Sequence, residues 1–291
     1  MTMRRAPLLA LMLLAIAHTT SARERYPVTG MVLKVDPARL RFVASIEQIP
    51  GFMAAMTMHF EVRDARELAG LVPGATVDFT LVVDAKSSYA EALRIRRYQG
   101  VEQDPSTARR LSLLKQLSGD SAATPLQIGE AVPDFTLTDQ KSRRMSLTQL
   151  RGKVVAINFM YTTCQLPDFC LRIVNHFGVL QKRFKSELGR DLVLLTITFD
   201  PARDRPDVLD QYSRQWNANP ETWRFLTGSL PEVRRVLALF GVAAFPDDGL
   251  MDHSLHTALV DRRGTLVANI EGNQYSSDQL VDLTRTVLRT R

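Results

Sequence analysis

The stretch Val154-Val155-Ala156-Ile157-Asn158-Phe159-Met160-Tyr161-Thr162-Thr163-Cys164-Gln165-Leu166-Pro167-Asp168-Phe169-Cys170 opens as an apolar run of strand length and closes as a cysteine loop. A short run rich in β-branched residues is the pattern of a buried strand, here Val154 to Phe159. The chain leaves it through Tyr161-Thr162-Thr163, so Cys164 is expected at the strand's C-terminal end. Two residues six apart on one helix point about 240° apart, so the cysteines meet only if residues 165–168 are irregular. Pro167 suits the first position of a helix, which would put Asp168 and Cys170 in its first turn. Free N–H groups and the helix dipole there favour a thiolate, making Cys170 the expected more acidic thiol in the absence of metal.

Working outward, further strand-length apolar runs at Leu192–Phe199 and Leu255–Val260 alternate with amphipathic stretches at about 168–186, 204–216, 230–241 and 277–289. Buried strands alternating with helices imply a mainly parallel sheet covered on both faces. Ahead of them, Asp134-Phe135-Thr136-Leu137 reads as a strand, followed by a polar turn and a short helix closed by Gly152. A strand that delivers a cysteine loop onto a helix in this order is the layout of an α/β thioredoxin-like domain, expected over 128–291.

The front half has a different rhythm. Val28–Val35, Leu40–Ile46, Met56–Val62, Thr76–Val83 and Ala90–Arg97 read as short strands, punctuated by Pro50-Gly51 and Pro73-Gly74. Five strands in so short a span predict a small all-β barrel of the OB type over 26–98, with a helical turn at 64–69. Residues 99–127 lose the pattern and read as a linker around a short helix at 108–117. At the start, Arg4 and Arg5 precede an apolar run from Ala6 to Ala17 and a small-residue site, so residues 1–22 are expected to be a signal peptide cleaved after Ala22. That run falls short of the roughly 20 residues needed to span a bilayer, and no later segment approaches it. The mature chain is therefore expected to be exported, soluble and without an integral membrane segment. The net charge of +6 comes from scattered residues, two of them in the signal peptide, and no basic stripe marks a nucleic-acid site.

The chain of 291 residues holds two cysteines, Cys164 and Cys170. In an exported protein their plain reading is a structural disulfide. Closing so short a loop removes only about 2 kcal/mol of unfolded-state entropy, so chemistry explains the pair better than stability does. Two soft thiolates with an imidazole suit copper, although zinc accepts the same ligand types. His253 and His256 lie three apart in a predicted strand, so one at most reaches the thiols, while His176 lies off the face of Cys170.

Asp134-Phe135-Thr136-Leu137, Phe159-Met160-Tyr161-Thr162-Thr163-Cys164, Phe199-Asp200-Pro201-Ala202-Arg203-Asp204 and Asp252-His253-Ser254 resemble, in this order, the SCO/SenC family of copper-handling proteins. The resemblance implies copper ligation by Cys164, Cys170 and His253. The Cys-Gln-Leu-Pro-Asp-Phe-Cys spacing resembles a longer subset rather than the commoner Cys-x-x-x-Cys form. Gln165 and Leu171 stand where relatives with this spacing carry proline. No proline precedes Thr257, where thioredoxins place a cis-proline beside the dithiol; this fits the SCO family rather than an ordinary disulfide oxidoreductase.

In the front half, Met56 and Met58 share a strand face with Phe60, with Met53 just upstream. An apolar strand face is the plain reading, but thioethers also select monovalent copper. The stretch Ile49-Pro50-Gly51-Phe52-Met53-Ala54-Ala55-Met56-Thr57-Met58-His59-Phe60 resembles the CusF-like periplasmic copper-binding domain over about 27–98. That family uses both methionines of Met-Thr-Met and an upstream histidine. The resemblance implies Met56 and Met58 as ligands and Met53 as a substitute for the histidine. Ser45 and Ile46 occupy the histidine's neighbourhood, and His59 faces the other way.

Together the resemblances imply a periplasmic copper chaperone whose client is a protein with a copper site, foremost a cytochrome oxidase subunit. The alternative is an enzyme, a thiol-disulfide reductase with Cys164 and Cys170 as its redox pair, acting on the client's cysteine ligands. A thiol peroxidase shares the fold, but no arginine and threonine arrangement around Cys164 supports one.

Overall fold

The computed structural model describes residues 23–98, 109, 124–164, 167–247 and 250–290. The expected signal peptide, most of the linker with its short helix, and Gln165-Leu166 lie outside the described residues. None of the described helices is long and apolar enough to cross a membrane.

Five antiparallel strands form the first sheet: β1 (Glu24–Asp36), β2 (Arg41–Ile46), β3 (Met56–Glu61), β4 (Thr76–Val83) and β5 (Ser88–Ile95), in the order β3-β2-β1-β4-β5. β1 is longer than its sequence pattern because it serves two partners. Its first half pairs with β4 and its second half with β2, with an irregularity between Val32 and Lys34 that bends it. The two sheet edges meet at a single parallel bridge, Val62 to Ala90, so the sheet curls toward a barrel without a β3–β5 ladder among the described residues. Phe42, Phe60 and Phe79 fill its interior, with ring centroids 4.8–5.5 Å apart.

The second sheet contains β6 (Thr136–Asp139), β7 (Arg144–Ser146), β8 (Val154–Met160), β9 (Leu192–Thr198), β10 (Trp223–Thr227), β13 (His256–Val260) and β14 (Leu266–Glu271), in the order β14-β13-β8-β9-β10-β6-β7. A separate hairpin joins β11 (Ala244–Asp247) to β12 (Leu250–His253). The helices are α1 (Arg172–Arg183), α2 (Pro206–Gln215), α3 (Leu230–Leu239) and α4 (Ser277–Arg289). Only β8, β9 and β10 are parallel; β13 runs antiparallel to β8 and β14, and β6 to β10. The expected mainly parallel sheet is thus a mixed one. A tight turn joins β13 to β14, which leaves no room for the crossover that a parallel pair requires. This α/β domain is thioredoxin-like, and β8 is buried along its whole length.

The two sheets share a packed face. Met31 and Leu33 of β1 are buried in the core of the second domain. Asp282 on α4 accepts hydrogen bonds from Ser45 Oγ at 2.9 Å and Thr57 Oγ1 at 2.8 Å, and Gln279 Nε2 donates to the Ser45 carbonyl at 3.3 Å. Gly74, at φ +89°, lies against β14 so closely that a Cβ there would stand 2.9 Å from Ile270 Cγ1.

Candidate metal centre

β8 delivers Cys164, the loop before α1 delivers Cys170, and the end of β12 delivers His253. One donor atom from each lies within 4.8 Å of the others, with Cys170 Sγ 3.9 Å from His253 Nε2. The three residues are 8%, 0% and 7% exposed, so the centre is nearly closed to water, and the two cysteines are in the thiol state and not joined as a disulfide. His253 Nδ1 lies 3.2 Å from the Ser254 carbonyl. Donating there leaves the Nε2 lone pair directed at the sulfurs, which is the tautomer a metal ligand needs. Ser254 in turn pins the hairpin, its N–H donating to Ala243 O and its Oγ accepting from Ala243 N, each at 2.9 Å. The Phe199 ring lies 4.5 Å from the imidazole and Tyr161 meets it edge-on at 5.7 Å, so aromatic walls hold the ring in place.

The cysteine loop differs from its expected form. Pro167–Leu171 forms a turn wider than an α-helix, with Phe169 at φ −110° and ψ −105°, and regular helix begins only at Arg172. Cys170 therefore precedes the helix instead of sitting in its first turn. The irregularity brings the two sulfurs together, and it also removes Cys170 from the N–H groups expected to acidify it. Its hydrogen bond with Cys164 and its burial push the Cys170 thiol well above the ordinary range, the reverse of the expected acidic thiol. The Tyr161 phenol beside Cys164 is likewise pushed up to about 12, chiefly by burial.

Asp204 is a functional neighbour that sequence reasoning treated only as part of a motif. Fully buried, it accepts from the Thr162 backbone N–H at 3.0 Å and from the hydroxyls of Thr162 and Thr198. It thereby ties the approach to Cys164 to the end of β9. Burial raises its carboxyl pKa.

His256 does not share a strand with His253, since Ser254 and Leu255 separate the end of β12 from the start of β13. Its Nδ1 faces Asn269 Oδ1 at 3.2 Å, while His176 Nδ1 faces Ser277 Oγ at 3.3 Å; neither joins the centre. Burial pushes both imidazoles down to about 4. The unfolded chain takes up these protons near pH 6.5 and the folded one only near 4, so stability is full above 6.5 and lost as pH falls through that window. Each group is worth up to about 3 kcal/mol at pH 4. Thermal unfolding between pH 7 and 4 should show this loss, and a His176→Gln, His256→Gln variant should flatten it; an unchanged slope would exclude these residues as its source.

On β3, Met56 and Met58 share the face of Phe60 and lie directly across from Ile46 and Ala44. Met56 is 50% exposed, whereas Met58 and Met53 pack half-buried against the small core. Met53 reaches this region because Ile49 and Met53 pair around the Pro50-Gly51 turn. The strand register separates the two residues in the missing histidine's neighbourhood: Ser45 bonds to Asp282, while Ile46 pairs with Met56. His59 is exposed and pairs with Val43.

Comparison with known proteins follows the same division. The sequence model of the SCO1/SenC family matches residues 124–289, and that of the copper binding periplasmic protein CusF matches residues 25–94. The chain is 31% identical over 150 residues to a SCO2-like protein of Rickettsia typhi, covering 49% of this chain and 69% of that protein. It is 31% identical over 155 residues to the mitochondrial protein SCO1 of Saccharomyces cerevisiae, covering 51% of this chain and 50% of that one. Among solved structures, copper-bound ScoI of Bradyrhizobium japonicum is 27% identical with a TM-score of 0.46, covering 55% of this chain and 99% of that one. Copper-bound yeast Sco1 is 29% identical with a TM-score of 0.48, covering 57% and 91%. The chain belongs to the SCO1/SenC family and carries a CusF-like module ahead of its thioredoxin-like domain.

Proposed function

We propose that this chain is a periplasmic copper chaperone that binds one copper ion through Cys164, Cys170 and His253 and passes it to the copper centre of a cytochrome oxidase subunit. The observation that carries this reading is the convergence of two sulfurs and a correctly presented imidazole nitrogen in one nearly closed site. Soft thiolates with one imidazole select copper well, and the named relatives with copper bound support the same ion. Export follows the signal-peptide reading of residues 1–22. The working units in this proposal are 26–98 and 128–291, joined by 99–127.

Copper loading requires both thiols to lose their protons, so uptake releases protons and weakens as pH falls. Forming a disulfide removes two electrons and two protons from the same sulfurs, so metal binding and oxidation compete. The reductase reading requires an attacking thiolate, and the raised Cys170 thiol disfavours that atom as the attacker. Mixing reduced full chain, with and without copper, with a copper-free oxidase subunit domain and following metal and thiols decides between them. Copper transfer without disulfide exchange is the expected result; rapid reduction of a client disulfide without metal transfer would overturn it.

The small domain is proposed to hold copper(I) through Met56 and Met58, with Met53 as a weaker third donor. In full chain carrying Cys164→Ser and Cys170→Ser, copper(I) titration should reveal this weak site. Changing both Met56 and Met58 to Leu keeps the apolar volume and should abolish it. Ile46→His, which adds an imidazole opposite Met56, should tighten it about tenfold or more. A titration unmoved by the double Leu change would return the methionines to ordinary packing.

A further inference from the structure

Beside the metal centre, between the end of β9, the start of α3 and the β11–β12 hairpin, lies a cavity of about 390 Å³. Phe199, Leu237, Ala244 and Met251 line it, together with Leu230 and Arg234 of α3. Phe199 serves both places, since its ring also lies 4.5 Å from that of His253. Leu230 is 47% exposed although it lines an apolar space. Arg234, one turn along the helix, is half-buried and has no hydrogen-bonding or carboxylate partner among the described residues. The acid that also lines the cavity, Asp200, is already engaged by Arg203 at 3.1 Å, and Glu232 on the same helix by Arg144 at 2.8 Å. Among the described residues the cavity therefore presents apolar surface with one guanidinium that no carboxylate engages, which favours an apolar group carrying a nearby carboxylate.

We propose that this cavity docks the client polypeptide, seating an apolar side chain against Phe199 and Met251 and a neighbouring carboxylate against Arg234. The shared Phe199 wall then brings the client's own metal-binding residues beside Cys164, Cys170 and His253. A space of this volume admits one or two side chains, and the exposed Leu230 extends the apolar contact beyond it. The inference rests on the chaperone reading for the identity of the client.

The test uses the full chain loaded with copper(I) and, as probe, the copper-free domain of a cytochrome oxidase subunit that bears its copper site. Leu230→Asp and Arg234→Glu should each weaken binding at least tenfold while the free protein's copper content stays unchanged. Arg234→Lys should retain most of the affinity at low salt. Added salt should weaken the wild type more than Arg234→Glu, because the contact is between charges. Wild-type affinity in both Leu230→Asp and Arg234→Glu would overturn docking at this cavity. If the wild type binds the domain but passes no copper, the chaperone reading fails and docking stands. If copper passes equally fast from the wild type and both variants, docking fails and the chaperone reading stands; a wild type that does not bind removes both.

Discussion

Replacing His253 by Ala should lower copper affinity at least 100-fold while leaving Cys164 and Cys170 able to oxidise to a disulfide. Loss of a mere outer partner of a metal ligand costs 10- to 100-fold, and His253 supplies one of the three donors that converge among the described His, Cys, Asp and Glu residues. The sulfurs need no imidazole to join each other, so the two properties separate. Copper titration of the reduced variant against a competing chelator measures the first, and thiol counting after oxidation measures the second. Native affinity together with the native copper spectrum in His253→Ala would refute three-residue ligation.

The second large effect is on stability, at a residue outside the cluster of Cys164, Cys170 and His253. Asp204→Ala should remove the acceptor for the Thr162 N–H and for the hydroxyls of Thr162 and Thr198. Stranding buried donors costs about 1–3 kcal/mol each, and partial rescue by water brings the total to roughly 3 kcal/mol. A chain of this size should then melt about 6–12 °C lower. Asp204→Asn keeps an acceptor and removes a carboxylate whose burial is unfavourable, so it should melt close to the wild type. Because Asp204 holds the approach to Cys164, the Ala variant should also release copper faster. An unchanged melting temperature in Asp204→Ala would show that the site around Thr162 re-satisfies its donors without the carboxylate.

Much of the molecule was legible from local pattern. The buried run leading to Cys164, the five strands of the small domain and the amphipathic stretches each carry their own periodicity, and they appear close to where that periodicity puts them. β10 and β14 escaped notice because Arg224, Asn269 and Glu271 interrupt their apolar runs, so their burial depends on sheet neighbours and not on their own composition. The strand joining His253 to His256 failed for the opposite reason. The two segments look continuous in the sequence, but Ser254 spends its hydrogen bonds on Ala243 and ends the hairpin there.

The sequence by itself singled out the candidate residues for the proposed chemistry: there are two cysteines to choose from, a histidine motif downstream, and a methionine pair at strand spacing. It also determined that Cys164 follows closely on the end of a buried strand, because hydrophobic periodicity is a local property. The tertiary structure alone decided their chemical state. Whether Cys170 is acidified depends on where helical hydrogen bonding begins, and the irregular turn at Phe169 delays that start to Arg172. Burial by the surrounding elements then raises the thiol, and the hairpin turns the His253 imidazole toward it. Such effects are set by neighbours distant in the chain, through desolvation and through hydrogen bonds that no spacing rule contains. The joint between the sheets is of the same kind, since Asp282 meets Ser45 and Thr57 more than 200 residues away in the chain.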